Sequence, residues 1–103
     1  MVGIKTGTIR IAMIGYQFMG KAHSHAYRDL PFYFDNALKP ELKVISGRNE
    51  SAVKEAKVKM GWQEYDTDWK KVIDRDDIDV IDIVTPNHTH AEIAIAAAEA
   101  GKH

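Results

Sequence analysis

Ile9-Arg10-Ile11-Ala12-Met13-Ile14-Gly15-Tyr16-Gln17-Phe18-Met19-Gly20-Lys21-Ala22-His23 reads as an apolar strand that runs into a glycine-punctuated turn and then a helix. A doubly wound α/β sheet uses that order of parts to aim backbone N–H groups and a helix N-terminus at a dinucleotide pyrophosphate. In the Gly-x-Gly-x-x-Gly fingerprint, the first glycine makes the tight turn and the second lets the backbone approach the phosphates. The third lets helix and strand pack closely. Gly15 and Gly20 fill the outer positions here and Gln17 stands in the middle, so its side chain must turn away from the phosphates or offer its amide to them. The competing reading is a strand–turn–helix that binds nothing. The free N–H groups and positive dipole end of the following helix favour the phosphate reading.

Outward from this stretch, short apolar runs alternate with helical patterns, which predicts an α/β fold with a parallel sheet. The first strand is expected over Thr8 to Ile14, with a helix from Met19 to Leu30 ended by Pro31. Pro31 to Pro40, with Phe32, Tyr33 and Phe34, reads as a loop or frayed turn. A second strand, Leu42 to Ser46, leads through Gly47-Arg48-Asn49 into a helix capped by Asn49 and closed by Gly61. On that helix Glu50/Lys54 and Glu55/Lys59 are spaced i,i+4, and Ala52, Val53 and Ala56 supply the apolar stripe. A short strand near Glu64 to Asp66 and a short helix from Asp68, with Trp69, Val72 and Ile73 facing inward, come next. Asp79 to Val84 is the most central-looking strand, since Val80-Ile81 and Ile83-Val84 leave little alternation, as expected of a strand covered on both faces. Pro86 ends it. A last helix starts near Thr89, where Thr89-x-x-Glu92 forms a capping box, and stops at Gly101.

The chain has 103 residues, with 45% hydrophobic and 28% charged residues and a net charge of −1, so it has room for one domain of ordinary globular composition. That balance gives no electrostatic reason to expect nucleic acid or an anionic membrane as partner. The absence of cysteine excludes disulfides, thiol catalysis and cysteine-ligated zinc. With no apolar run near the ~18 residues of a membrane span, and no secretory signal in Met1 to Thr8, a cytoplasmic protein is expected.

At the end of the second strand a carboxylate would bind an adenosine ribose 2′-OH, and arginine would favour a 2′-phosphate. Gly47-Arg48-Asn49 offers the guanidinium, so the charge logic leans towards NADP over NAD; the alternative is a plain turn with a solvated arginine. Four of the five histidines form two His-x-His pairs, His23/His25 and His88/His90. On a helix, residues i and i+2 point to nearly opposite faces, so neither pair chelates a metal well and no metal site is expected. His88 and His90 do lie at the C-terminal end of a strand, where ligands of open α/β sheets collect. His90 is the better candidate for touching a cofactor or substrate, set against a packing or capping role. Asp82, inside an apolar strand, needs a partner, expected from a neighbouring loop. Asp74, Asp76 and Asp77 read as a solvated turn.

Three stretches resemble the amino-terminal part of the Gfo/Idh/MocA oxidoreductases. They are Ile14-Gly15-Tyr16-Gln17-Phe18-Met19-Gly20-Lys21-Ala22-His23-Ser24, Asp79-Val80-Ile81-Asp82-Ile83-Val84-Thr85-Pro86-Asn87-His88-Thr89-His90, and the alanine-rich run from Ala91 to Ala100-Gly101-Lys102-His103. The Thr-Pro-Asn-His-x-His block is far more specific than the glycine loop. The resemblance implies an NAD(P)-dependent oxidoreductase with a doubly wound Rossmann-type sheet, followed by a domain that binds a sugar, polyol or related substrate. By matching position, Gly15, Tyr16, Gln17, Phe18, Met19 and Gly20 would face the pyrophosphate. Gly47, Arg48 and Asn49 would face the adenosine ribose, and Thr85, Pro86, Asn87 and His90 the nicotinamide half.

Gln17 departs from the usual middle glycine, which bears on how closely the backbone approaches the pyrophosphate. The family also continues beyond the equivalent of His103 into a strand bearing Glu-Lys-Pro, whose lysine is a main catalytic residue. Residues 1–103 are therefore expected to form one cofactor-binding domain with sheet order 3-2-1-4, truncated after the fourth strand and its helix, incomplete at its C-terminus and carrying no catalytic residue. The fourth strand should then present an open edge, which recruits partners, so self-association is expected there or through the last helix. A rival reading from a different class is a non-catalytic dinucleotide-binding or assembly module.

Overall fold

The computed structural model describes residues 8–16, 18–33 and 39–103. Its elements run β1 (Thr8–Ile14), α1 (Phe18–Tyr33), β2 (Lys39–Ser46), α2 (Glu50–Met60), β3 (Glu64–Asp66), α3 (Trp69–Ile73), β4 (Val80–Ile83) and α4 (Asn87–Glu99). The four strands are parallel, in the order β3-β2-β1-β4. This is the doubly wound α/β arrangement, with the expected strand order.

The sequence of β1 explains its central place. Ile11 to Ile14 are all buried, so both faces of the strand need apolar partners. On one face Ala12 and Ile14 meet Val44, Val72, Ile73, Ile93 and Ala97, beneath α3 and α4. On the other, Ile11 and Met13 meet Leu42, Ile45, Val53, Ala56 and Trp62, with Tyr27 of α1 packed alongside. Pairing of β1 with β2 slips by one residue between Ile11 and Ala12, so that Lys43 is the extra residue of a bulge. Lys43 Nζ lies 3.9 Å from carboxylates of Glu41, Glu64 and Asp77.

The helix ends follow local chemistry. Asn49 Oδ1 accepts from the Ala52 amide at 3.0 Å, and Gly61 closes α2 in the left-handed conformation at φ +79° with its N–H on the Lys57 carbonyl. Other ends move from where the sequence puts them. The first helix starts at Phe18 and runs through Pro31 to Tyr33. A proline in the last turn withdraws one backbone donor, so the helix ends within two residues rather than at Leu30. The second strand begins at Lys39, ahead of Leu42, and takes in Pro40. This is tolerated because β3 joins β2 only from Val44 to Ser46, leaving Pro40 on an edge. The fourth strand is Val80–Ile83, inside its expected span, but it lies at the end of the described sheet, and β1 takes the inner place expected of it. The reason is that helices cover the faces of β4, so its apolar run needs no strand on both sides.

The capping box expected at Thr89 is replaced by a start one turn earlier, at Asn87, with Pro86 as N-cap. Thr89 then sits inside the first turn, its hydroxyl 2.8 Å from the Pro86 carbonyl and 2.6 Å from Thr85 Oγ1. On the outer side of β4, the His103 N–H donates to the Asp79 carbonyl at 3.1 Å and the His103 carbonyl accepts from the Ile81 amide at 2.6 Å. The last residue therefore pairs with the first part of the edge that was expected to be open. Among the described residues no helix is long and apolar enough to cross a membrane.

Candidate functional site

The order β3-β2-β1-β4 puts the switch in winding direction at β1, and a crevice opens outside the C-terminal ends of the strands there. At its centre Gly15 leaves β1 at φ +108°, and its N–H donates to the Ser46 carbonyl of β2 at 2.8 Å. A Cβ on Gly15 would lie 3.0 Å from the Val84 carbonyl carbon, so the turn is wedged between the ends of β2 and β4. Gly20 serves contact of a different kind. A Cβ there would lie 3.2 Å from Met13 Sδ and 3.5 Å from the Gly15 carbonyl oxygen, so its hydrogen lets α1 lie close on β1.

A cavity of about 460 Å³ fills the crevice. The β1 end contributes Gly15 and Tyr16, the β2 end Ser46, Gly47 and Arg48, and the β4 end Val84, Thr85 and Pro86. The Tyr16 ring covers Gly47, where a Cβ would overlap Cδ1 and Cε1 of that ring. The Gly47 N–H is held by the Asp66 carbonyl at 3.2 Å, which ties this corner to β3. No acidic residue lies in the first turn of α1 or of α4, and the first acidic group on α4 is Glu92, which also lines the cavity.

Six of the sequence-derived site residues, Gly15, Tyr16, Gly47, Arg48, Thr85 and Pro86, thus come together around one cavity, with Gly20 directly beneath. Asn49 is spent as the N-cap of α2. Gln17 lies outside the described residues; Phe18 and Met19 are the first residues of α1 and Asn87 the first of α4. His90 does not line the cavity. Its Nε2 lies 2.6 Å from the Thr85 carbonyl, and because a carbonyl only accepts, that nitrogen carries the proton. His90 therefore braces the turn from β4 to α4, while His88 lines the cavity.

Sequence reading also missed Thr67 and Trp69 at the β3–α3 corner and Thr89, Glu92 and Ile93 on α4. The signal for Glu92 was masked by the capping box. Once α4 starts at Asn87, that carboxylate is no longer a cap partner.

The histidine pairs diverge. His25 Nε2 meets Asp29 one turn on at 2.9 Å, whereas His23 Nδ1 meets Asp82 Oδ2 at 2.7 Å. The same Asp82 oxygen accepts from the Tyr27 hydroxyl at 2.6 Å. Asp82 is therefore satisfied by two side chains of α1 rather than by a loop. Burial, and then the hydrogen bond to the Asp82 carboxylate, push the Tyr27 phenol above its ordinary range. On the far side of the sheet, Asp77 is not simply solvated, since Arg75 reaches it at 2.7 Å and Glu64 at 3.0 Å.

Comparison with known proteins agrees with the fold. Residues 9–103 match the model of the oxidoreductase family with an NAD-binding Rossmann fold. The levoglucosan dehydrogenase of Pseudarthrobacter phenanthrenivorans is 51% identical over 96 residues, which cover 92% of this chain and 25% of that protein. The myo-inositol 2-dehydrogenase of Thermotoga maritima is 30% identical over 95 residues, covering 92% of this chain and 26% of the relative. Among solved structures, a levoglucosan dehydrogenase in complex with NADH superposes with a TM-score of 0.91 at 50% identity, over 93% of this chain and 26% of the other. The chain thus spans about a quarter of the length of these relatives. With the glycine turn, the strand order and the Thr85-Pro86 wall all in one crevice, the chain belongs to the Gfo/Idh/MocA oxidoreductases, as an NAD-binding Rossmann domain of that family.

Proposed function

We propose that this chain is the cofactor-binding portion of a dehydrogenase acting on a sugar, polyol or related substrate, and that its cavity holds NADH. The observation that carries the reading is the cradle at Gly15, where a side chain would strike Val84 and where the N-terminus of α1 begins two residues after Tyr16. A pyrophosphate fits such a cradle through backbone N–H groups and the helix dipole. Gly47 and Arg48 would then meet the adenosine ribose, and Thr85, Pro86 and Asn87 the nicotinamide half, with His90 acting through the Thr85 carbonyl. The bound nicotinamide would supply the hydride acceptor or donor, and the residues of this chain would orient it and keep one of its faces against the wall.

Arg48 by its charge favours a 2′-phosphate, whereas the relative solved at 50% identity is a complex with NADH. The bound ligand of so similar a protein outweighs one exposed guanidinium, so NADH is expected to bind more tightly than NADPH. A cytoplasmic setting accords with a chain free of cysteine. Self-association is part of the same proposal. It would run through the outward face of α4, where Ile95 is 59% exposed, and a monomer by light scattering at high concentration would count against it.

The test is a titration with NADH and with NADPH, followed by energy transfer from Trp62 and Trp69 to the reduced nicotinamide. Saturable binding is expected. A chain that circular dichroism shows to be folded and that binds neither would overturn the reading.

A further inference from the structure

Among the apolar side chains between the sheet and the helices α1 and α2 sits a buried serine, Ser24, one turn along α1 from Gly20. Its Oγ accepts from the Trp62 indole N–H at 2.9 Å and donates to the Gly20 carbonyl at 2.7 Å. An indole N–H only donates and a carbonyl only accepts, so the hydroxyl proton has one direction and the series runs from Trp62 through Ser24 to Gly20. The sulfurs of Met13 and Met60, each 3.8 Å from Oγ, fill the space around it. Trp62 is itself fixed. Its amide donates to the Lys57 carbonyl of α2 at 2.9 Å, and the amide of Gln63 donates to the Leu42 carbonyl of β2 at 3.0 Å.

The series ends in the first turn of α1, the turn that leaves backbone N–H groups free for an anion. Gly20 loses more freedom on ordering than any other residue would and has no side chain by which to be held. The bond from Ser24 to its carbonyl supplies that hold. The same peptide unit carries the Lys21 N–H at its other end, and hydrogen bonds in series polarise one another, which makes that N–H the better donor. Packing passes the restraint on to the glycine turn. A Cβ on Gly20 would lie 3.2 Å from Met13 Sδ and 3.5 Å from the Gly15 carbonyl oxygen, so a shift at Ser24 is felt at Gly15.

We propose that Ser24, held by Trp62, is a positioning residue for the pyrophosphate cradle and keeps the first turn of α1 in its binding geometry before the ligand arrives. This rests on the cradle at Gly15 being the dinucleotide site. The test is calorimetric titration with NADH and with ADP-ribose, which carries the pyrophosphate and lacks the nicotinamide. The proteins are the wild-type chain, S24A, W62F, the double variant and A56G, which loosens α2 in the same core cluster without touching the hydrogen-bond series. Titrations are run at a temperature where melts show each protein folded, so that a loss of stability alone leaves the dissociation constants unchanged.

S24A is expected to weaken both ligands about 10-fold, as when one buried donor is left unsatisfied. W62F should weaken them by a smaller factor, the double variant no more than S24A, and A56G should stay near wild type. The positioning role is overturned, and the cofactor reading stands, if wild type binds and folded S24A binds as tightly, if A56G loses as much as S24A, or if the S24A and W62F losses add. Should S24A not fold, W62F keeps an aromatic ring in the core and decides the matter, unchanged affinity overturning the role. A folded wild type that binds neither ligand would sink both readings.

Discussion

At Gly15 a φ of +108° and an ideal Cβ only 3.0 Å from the Val84 carbonyl carbon leave no room for a side chain. Gly15→Ala should therefore cost more than about 1 kcal/mol of stability in urea unfolding and abolish NADH binding, because the strain falls on backbone rather than on a movable side chain. Gly47 is constrained differently. For a Cβ there the nearest neighbour is the Tyr16 ring, with the buried Val53 Cβ at 3.3 Å behind it. Gly47→Ala should lower the melting temperature less than Gly15→Ala, because a side chain rather than backbone must move, and should weaken NADH by displacing Tyr16 within the cavity. Combining it with Tyr16→Ala should add little to the loss caused by Tyr16→Ala alone, a non-additivity that a double-mutant cycle would read. The tight turn at Gly15 was legible from its place after an apolar strand. The partner of Gly47 was not, since Tyr16 reaches it only when β1 and β2 lie side by side.

Between elements, Asp82 links β4 to α1 through His23 and Tyr27. Asp82→Ala strands the Tyr27 hydroxyl and should cost about 1–3 kcal/mol in denaturant unfolding. Asp82→Asn keeps an acceptor oxygen and should cost less. If both variants unfold with the wild type, the link adds nothing to stability. Within α2, Asn49→Ala should cost about 1 kcal/mol, the usual worth of a side-chain N-cap. That cap could be read from the sequence because it needs only residues three apart. The start of α4 was misread because Thr89-x-x-Glu92 satisfies the same local pattern one turn late. Pro86 and the Thr85–Thr89 contact set the actual start. Pro31 and Pro40 misled for a related reason, since a proline excludes one donor and not a whole element.

For the molecule as a whole, Arg10 and Asp79 join the front of β1 to the segment that leads into β4. The Arg10 guanidinium meets both Asp79 oxygens at 3.0 Å, and the Arg10 amide donates to the same carboxylate at 2.9 Å. The hydrogen bond from that guanidinium, chief among the causes, holds the Asp79 carboxyl below the usual carboxylate range. A depressed folded pKa adds stability that is present in full above the unfolded value and lost as pH falls through the folded one. Stability should thus begin to fall near about pH 4 and continue downward, and Asp79→Asn should flatten that part of the profile in melts from pH 7 to pH 3. Glu64 and Asp77, lowered chiefly by hydrogen bonds from Arg75, act in the same direction but are more exposed and should contribute little.

Sequence alone determined the βα alternation, the glycine turn, the caps of α2 and the family, because each is written in residues close together along the chain. Which strand is central was decided by the tertiary structure, since Asp79 to Val84, with little alternation, looks the more central and yet β1, buried from Ile11 to Ile14, lies inside the sheet. Tertiary structure decided the rest of the site. The parallel crossovers bring Trp69 and Glu92 to the same cavity as Gly15, and Asp82 to partners 55 and 59 residues away, and no local pattern encodes those distances. A side chain's ligand-facing role depends on which elements close over it. For His90 that closure directs the ring to the Thr85 carbonyl, and for Trp69 it leaves part of the indole in the wall of the cavity.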